Sequence, residues 1–237
     1  MRPPLNCVSL LKPELLDDIL EKNRRILTRE ETALNEKFWD LKKAKQDSMI
    51  NGSLKVFARF GYRHASTDEI VAEAGVSKGL IFHYFYSKNG LYEFLAEYSA
   101  RFALVELGSE LRREGILPFF ELQRKLVRAE SRILRQYPYM LLFLERAGRD
   151  LSSENPDEVL ASTSLYTDRR SELQRSAILP ASLTPSDGEM IGVLLDLERN
   201  DLALRLLDQN VLSPDKYSEG MSAYSHMLER MAGNQTS

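Results

Sequence analysis

Helical hydrophobic periodicity is the feature that most constrains the fold of this chain. Apolar residues recur three and four positions apart over long stretches, as in the set Tyr217, Met221, Tyr224, Leu228 and Met231. Alternation with a period of two, the mark of a half-buried strand, is hard to find anywhere. The sequence therefore predicts an all-α protein, and its 237 residues are enough to bury a core.

Capping residues indicate where the later helices begin. Thr184 can serve as an N-cap, with Pro185 in the first turn and Asp187 three residues after the cap. Ser213-Pro214 repeats the cap and the proline. The predicted helices of the second half are 91–113, 117–137, 138–149, 155–178, one from 185 and one from 214.

Net charge and composition exclude several classes of protein. The formal net charge is −3, so the chain is not a basic coat for nucleic acid, and any DNA binding must use a local surface. No run approaches the roughly 18 to 20 apolar residues of a membrane span, which predicts no membrane partner. Cys7 is the only cysteine, and the first residues lack the apolar core of a secretory signal. We therefore expect a cytoplasmic protein.

Residues 1–45 form a charged extension that is predicted to be helical. Pro13 opens one amphipathic stretch, and Thr28 with Glu31 fits a capping box for a second piece that runs to Lys45. The extension either packs as a brace against the next domain, which we favour, or adds a contact to DNA or to a partner. Its basic residues for such a contact are Arg24, Arg25, Lys42, Lys43 and Lys45.

Two short helices joined by a glycine turn follow between residues 66 and 85. Ser66 and Glu69 make a capping box for the first helix. Gly75 supplies the positive φ that ends it, and Ser77 can cap the second. This order of helix, tight turn and helix is the pattern of a DNA-reading helix-turn-helix.

The apolar positions of this motif predict which face is exposed. The residues that suit the core are Ile70, Ala74, Val76, Ile81 and Phe85. On the second helix this leaves Lys78, Gly79, Phe82 and His83 facing outward, a set that suits the major groove of DNA. Gly79 costs roughly 1 kcal/mol of helix propensity, which close approach to a DNA backbone would explain.

Phosphate contacts are predicted beside this face. The N-terminus of the first helix, at Thr67, offers free N–H groups, and Lys88 begins the next helix after its N-cap Ser87. Over residues 46–92, five basic residues and four acidic residues leave a charge of +1, so the salt dependence of binding should be modest.

The stretch 50–91 resembles the DNA-binding domain of the TetR family of transcriptional regulators. The resemblance rests on the Phe60-Gly61-Tyr62 ending of the opening helix and on Ser66-Thr67 followed by Ile70. It continues through Ala74-Gly75-Val76-Ser77, Gly79, Phe82, Phe85 and Ser87-Lys88 with Leu91, all at the family's spacings. The resemblance implies a homodimer in which a helical ligand-binding and dimerisation domain follows the DNA-binding head.

The resemblance also implies DNA-contact positions and shows three departures from the family. The implied contacts are Thr67, Ser77, Lys78, Leu80, Phe82, His83, Tyr84 and Lys88, to which the glycine argument adds Gly79. Phe82 stands where tyrosine is common, and Tyr84 stands where histidine is common. Asp68 places a negative charge where some members have a basic or neutral residue.

These signals together predict three segments: a helical extension (1–45), a three-helix DNA-binding domain (46–92), and a helical bundle for ligand binding and dimerisation (93–237). An apolar cavity for a small apolar or amphipathic effector is predicted from Phe94, Tyr98, Phe102, Phe119, Phe120, Met140, Phe143 and Tyr166. A dimer interface is predicted from Ile191, Leu194, Leu195, Tyr217, Met221, Tyr224 and Leu228.

Catalysis finds little support in the sequence. The three histidines, at positions 64, 83 and 226, fit no nucleophile or metal spacing, so no catalytic residue, metal or cofactor is predicted. The expected function is a ligand-responsive repressor that binds double-stranded operator DNA as a homodimer. The alternative is a DNA-associated structural or cell-division factor that has the same head and no ligand.

Overall fold

Regular structure in this protein is helical. The computed structural model describes residues 37–112, 114–209 and 211–233, and within them the only β-type pairing is one isolated bridge between Pro118 and Ile178. The predicted all-α class is confirmed. Most of the predicted extension, including Cys7 and the capping box at Thr28, lies outside the described residues.

Among the described residues, four long or medium helices form the head. They are α1 (Lys43–His64), α2 (Thr67–Ala74), α3 (Lys78–Phe85) and α4 (Lys88–Leu111). Helix α1 is broken at Gly61, where φ is 70° and ψ is 177°. Helix α4 runs through the predicted domain boundary at residue 92, so the head and the body share one continuous helix.

Five further helices form the body. They are α5 (Phe119–Gln136), α6 (Met140–Ala147), α7 (Pro156–Ser176), α8 (Pro185–Asp208) and α9 (Pro214–Gly233). Thr184 is the N-cap of α8, as predicted, and it forms a capping box with Asp187. Ser213 accepts the N–H of Lys216 at the start of α9. Helix α4 packs against α5 and α7, and α5 also packs against α9. Of the described helices, none is long and apolar enough to cross a membrane.

The segment before α1 departs from the second helical piece, which was predicted to run from residue 28 to residue 45. Residues 37–39 are helical, a turn follows, and helix resumes at Lys43. The side chain of Gln46 stabilises the break, because its Nε2 donates to the carbonyls of Trp39 at 2.8 Å and Leu41 at 2.9 Å. Phe38, just before the turn, is fully buried.

A buried carboxylate joins four helices at the centre of the body. Glu130 of α5 is 0% exposed, and its Oε2 accepts a 2.7 Å hydrogen bond from the hydroxyl of Tyr217 on α9. Its Oε1 lies 3.3 Å from Nε of Arg170 on α7 and 3.4 Å from Nη1 of Arg199 on α8. Burial raises the pKa of Tyr217 well above its ordinary value, so its hydroxyl stays protonated and donates. The centre of the body is therefore charged and internally paired.

Candidate DNA-binding site

Local side-chain caps define the ends of the helix-turn-helix. Ser66 Oγ accepts the N–H of Glu69 at 3.1 Å, and the Glu69 carboxylate accepts the N–H of Ser66 at 3.0 Å. Gly75 ends α2 in the left-handed region with φ 61°. Ser77 Oγ then accepts the N–H of Leu80 at the start of α3. Each cap lies within three residues of its partner, which is why the sequence revealed them.

Close approach of backbones fixes α2 against α1. A Cβ placed on Gly52 would lie 2.4 Å from the nitrogen and 2.6 Å from the Cα of Ala74. The hydroxyl of Ser48, one turn earlier on α1, donates to the Ala74 carbonyl at 2.5 Å. The end of α2, and therefore the turn that leads into α3, is held directly by α1.

Three of the four residues predicted to face outward from α3 are exposed, and the fourth, Phe82, is half-buried. Ile81 and Phe85 are buried, whereas Lys78 and His83 are exposed. A Cβ added at Gly79 would meet nothing within 4 Å, so packing within this chain does not require glycine at that position. Of the predicted contacts, Ser77, Lys78, Gly79 and His83 are exposed, and Thr67, Leu80, Phe82, Tyr84 and Lys88 are half-buried.

Two of the basic residues predicted to contact DNA have partners within the protein. Lys78 Nζ lies 2.9 Å from the carboxylate of Asp68 on α2, and both side chains are largely exposed. Lys88 Nζ donates to the carbonyls of Tyr62 and Ala65 at 2.9 and 3.2 Å and lies 4.3 Å from the centre of the Tyr62 ring. Lys78 can exchange its exposed partner for a phosphate, whereas Lys88 ties the end of α1 to the start of α4.

A cluster of aromatic rings that the sequence did not predict packs against α3 on the side opposite its exposed face. The ring of Phe38 lies 5.8 Å from Tyr84, 5.3 Å from Phe85 and 5.3 Å from Phe94 between ring centres. The ring of Trp39 covers the outer side of Phe94 at 6.0 Å. The described end of the extension therefore packs against the head.

The head meets the body at the broken end of α1. Arg146, in the last turn of α6, donates to the carbonyls of Ala58 at 3.2 Å and Arg59 at 3.0 Å. Asp150 accepts the N–H of Tyr62 at 2.8 Å, just past Gly61. Burial alone would raise the pKa of Asp150, but hydrogen bonds from Ser152 and from Tyr62 lower it below its usual range, which keeps the carboxylate charged. A movement of α6 would therefore act directly on α1.

The eight residues of the predicted cavity do not share one. Five of them are packed in the core and at most 3% exposed: Phe119, Phe120, Met140, Phe143 and Tyr166. The other three, Phe94, Tyr98 and Phe102, form a half-buried strip on α4. Trp39 and Tyr137 cover part of that strip, and the hydroxyls of Tyr98 and Tyr137 are 2.7 Å apart.

A groove of about 350 Å³ opens elsewhere, between α6, α7 and α8. Leu160, Val193 and Leu197 contribute apolar walls, and the hydroxyls of Thr163 and Thr167 lie along α7. The buried Arg170 and Arg199 lie at its inner side. Sequence periodicity could not reveal this groove, because its walls come from three helices far apart in the chain.

Three of the seven residues predicted for the dimer interface lie inside the protomer. Leu195, Tyr217 and Met221 are at most 2% exposed, so no second chain can touch them in this conformation. Leu194 is exposed, and Ile191, Tyr224 and Leu228 are half-buried. The large exposed apolar residues of α8 and α9 are Met190, Val193, Leu194, Leu197, Leu204, Met227 and Met231, of which Val193 and Leu197 also line the groove.

Comparison with known proteins agrees with this geometry. Residues 49–95 match the family model described as bacterial regulatory proteins, tetR family. That range covers α2 and α3 together with most of α1 and the start of α4. A search of curated proteins finds no significant match.

Solved structures resemble the fold over most of the chain. A TetR-like transcriptional regulator from Rhodococcus sp. RHA1 has a TM-score of 0.53 and 18% identity, covering 82% of this chain and all of that one. A putative fatty acid metabolism regulator from Clostridium perfringens scores 0.54 at 17% identity, covering 75% of this chain and 96% of its own. The transcriptional regulator FadR from Bacillus subtilis, solved in complex with stearoyl-CoA, has a TM-score of 0.52 and 13% identity, and the match covers 80% of this chain and 98% of that one. Identities this low establish the shared fold alone.

Proposed function

We propose that this chain, whose head and overall fold are those of the TetR family of transcriptional regulators, is a sequence-specific repressor that binds operator DNA as a homodimer and responds to a small ligand. The observation that carries the proposal is the exposed face of α3. Lys78, Gly79 and His83 project from a helix whose other side, Ile81 and Phe85, is buried. Because the inner side of α3 is packed in the head, its exposed side can enter the major groove of DNA while the head stays folded.

Dimerisation is supported by the outer faces of α8 and α9. These helices pack on each other and leave Met190, Leu194, Met227 and Met231 each more than two-fifths exposed. A second copy of the same surface would bury these apolar side chains symmetrically. A dimer would present two α3 helices to half-sites roughly 34–36 Å apart, which is one turn of DNA.

Ligand response is supported by the groove between α6, α7 and α8. Its volume of about 350 Å³ lies within the range of small-molecule sites, and its walls mix apolar side chains with hydroxyls, as an amphipathic effector requires. Glu145 and Arg149 of the lining flank Arg146, which holds α1. A ligand that displaces α6 would shift the head, and coupling of about 1–3 kcal/mol would be enough to release the operator.

The test is selection of duplex fragments from the source genome by the purified full chain, at about 0.1 M salt. We expect enrichment of a few palindromic sites by the wild type and loss of that enrichment in a Lys78→Ala/His83→Ala double variant. The matched control is Lys216→Ala, which removes an exposed lysine from α9. Screening of amphipathic small molecules against the selected operator then tests the response to ligand.

Uniform weak binding by both the wild type and the double variant would contradict sequence-specific regulation. A selected operator whose affinity no amphipathic compound changes would contradict the ligand response alone.

The packed interior favours a second candidate, a DNA-associated structural factor without a ligand. Met140 and Phe143, two of the residues predicted to line the cavity, are at most 1% exposed. Calorimetry with the same amphipathic compounds separates the two candidates, because the structural factor should show no binding heat.

A further inference from the structure

Tyr86 has an unusual backbone conformation for its residue type. It follows the last residue of α3, with φ 58° and ψ −43°, and among the described residues no other non-glycine residue has a positive φ. Gly61 and Gly75 adopt positive φ without cost, whereas a side chain in this region is strained. A glycine at position 86 would relieve that strain.

Packing does not explain the tyrosine. Its side chain is 63% exposed, more than that of Trp39 or Phe60, the other large aromatic residues at the described surface. Burial of apolar area therefore offsets little of the strain. An exposed aromatic ring on a strained backbone points to a contact outside this chain.

The position of Tyr86 places it beside the DNA-reading face. Its N–H donates to the carbonyl of Phe82 at 3.0 Å, so the hydrogen bonding of α3 extends to this residue. Between His83 and Tyr86, Tyr84 is half-buried and Phe85 has no hydrogen-bond donor in its side chain. Tyr86 is therefore the first residue after His83 with an exposed side-chain donor at this end of α3.

We propose that the Tyr86 hydroxyl donates a hydrogen bond to a phosphate oxygen of duplex DNA. The inference rests on the proposed function, because it requires α3 to lie in the major groove. Helices of this kind contact base edges mainly with their N-terminal residues, so the far end of α3 lies near the sugar-phosphate backbone. Tyrosine is among the side chains that bond phosphate oxygens, and such bonds position a protein without reading sequence.

Binding measurements on the full chain test this contact. The probes are the operator selected by the wild type and a scrambled duplex of the same length. Tyr86→Phe removes only the hydroxyl, and we expect it to weaken binding to both duplexes by about tenfold, which corresponds to ~1.4 kcal/mol. The ratio of the two affinities should stay unchanged, because a phosphate contact carries no base information.

A second variant separates binding from folding. Tyr86→Gly should weaken binding to both duplexes at least as much as Tyr86→Phe does, yet raise the thermal unfolding midpoint by relieving the strained backbone. The control is Phe60→Ala, which removes a half-exposed aromatic ring from α1 and should leave both affinities unchanged.

The outcomes distinguish failure of this contact from failure of the proposed function. A wild type that selects no duplex would overturn DNA regulation and this contact with it. Selective wild-type binding with Tyr86→Phe equal to the wild type would overturn the contact alone. A loss on the operator but not on the scrambled duplex would overturn the assignment to phosphate, since it would show that the hydroxyl reads a base.

Discussion

The DNA-binding head and the helical body are stabilised over very different distances along the chain. In the head, the caps at Ser66, Ser77 and Ser87 each bond a residue three positions away. In the body, Glu130 meets Arg199 and Tyr217 across 69 and 87 positions. Local bonds specify where the two helices and their turn begin and end, whereas the centre of the body depends on charges that only the complete fold brings together.

The largest expected loss of stability comes from removing the buried carboxylate at the centre of the body. Glu130→Ala leaves Arg170 and Arg199 buried without their shared carboxylate, and loss of one partner from a buried ion pair costs about 3–5 kcal/mol. Urea unfolding followed by circular dichroism measures the change in the free energy of unfolding.

The control for that variant breaks an ion pair at the surface. Glu229→Ala removes the partner of Arg124, where both side chains are well exposed, and should cost no more than about 1 kcal/mol. Similar losses for the two variants would contradict the view that the body depends on its buried charges.

An intermediate effect is expected where α1 meets α2. Gly52→Ala places a Cβ within 2.6 Å of backbone atoms of Ala74, which cannot move aside as a flexible side chain could. The forced separation should destabilise the head by about 1–3 kcal/mol, although alanine is the better helix former. Thermal unfolding followed by circular dichroism measures it.

Gly79→Ala is the matched control for that substitution. The same added methyl group on α3 meets nothing within 4 Å and should leave stability unchanged or slightly higher. If Gly52→Ala proved as stable as Gly79→Ala, the close contact between α1 and α2 would not be a source of head stability.

Gly52 and Gly79 also show which structural features could be predicted from the sequence and which could not. The order of helices, the caps and the buried face of α3 were predictable, because each depends on residues a few positions apart. The close approach at Gly52 was not, since Ala74 lies 22 positions away, and the core of the body was predicted as an apolar cavity. Periodicity identified the buried aromatic residues there, but it could not show that they fill the interior or that Glu130, Arg170 and Arg199 share its centre.

Contacts between distant parts of the chain also decide the packing of the predicted dimer interface and of the N-terminal extension. The stripe Tyr217, Met221 on α9 was correctly recognised as apolar, but it faces inward, because α9 packs on α5 as well as on α8. Phe38 lies in the helical piece predicted to run to Lys45, yet its contact with Phe85 of α3 depends on the turn that Gln46 stabilises. Amphipathicity predicts that a face is buried and leaves open which surface buries it.

The smallest expected effect is a change in DNA affinity on removing the exposed ion pair between Asp68 and Lys78, beside the DNA-reading face of α3. Asp68→Asn removes the carboxylate that holds Lys78 in the free protein, so the lysine can bind a phosphate without first losing a partner. An exposed pair is worth at most about 1 kcal/mol, so operator affinity should rise by about two- to fivefold for each head that binds. Glu73→Gln makes the same change in net charge at the end of α2, where the carboxylate pairs with Lys55 instead, and should raise affinity less. Equal gains for the two variants would assign the effect to net charge, and no gain for Asp68→Asn would mean that Lys78 does not reach the DNA backbone.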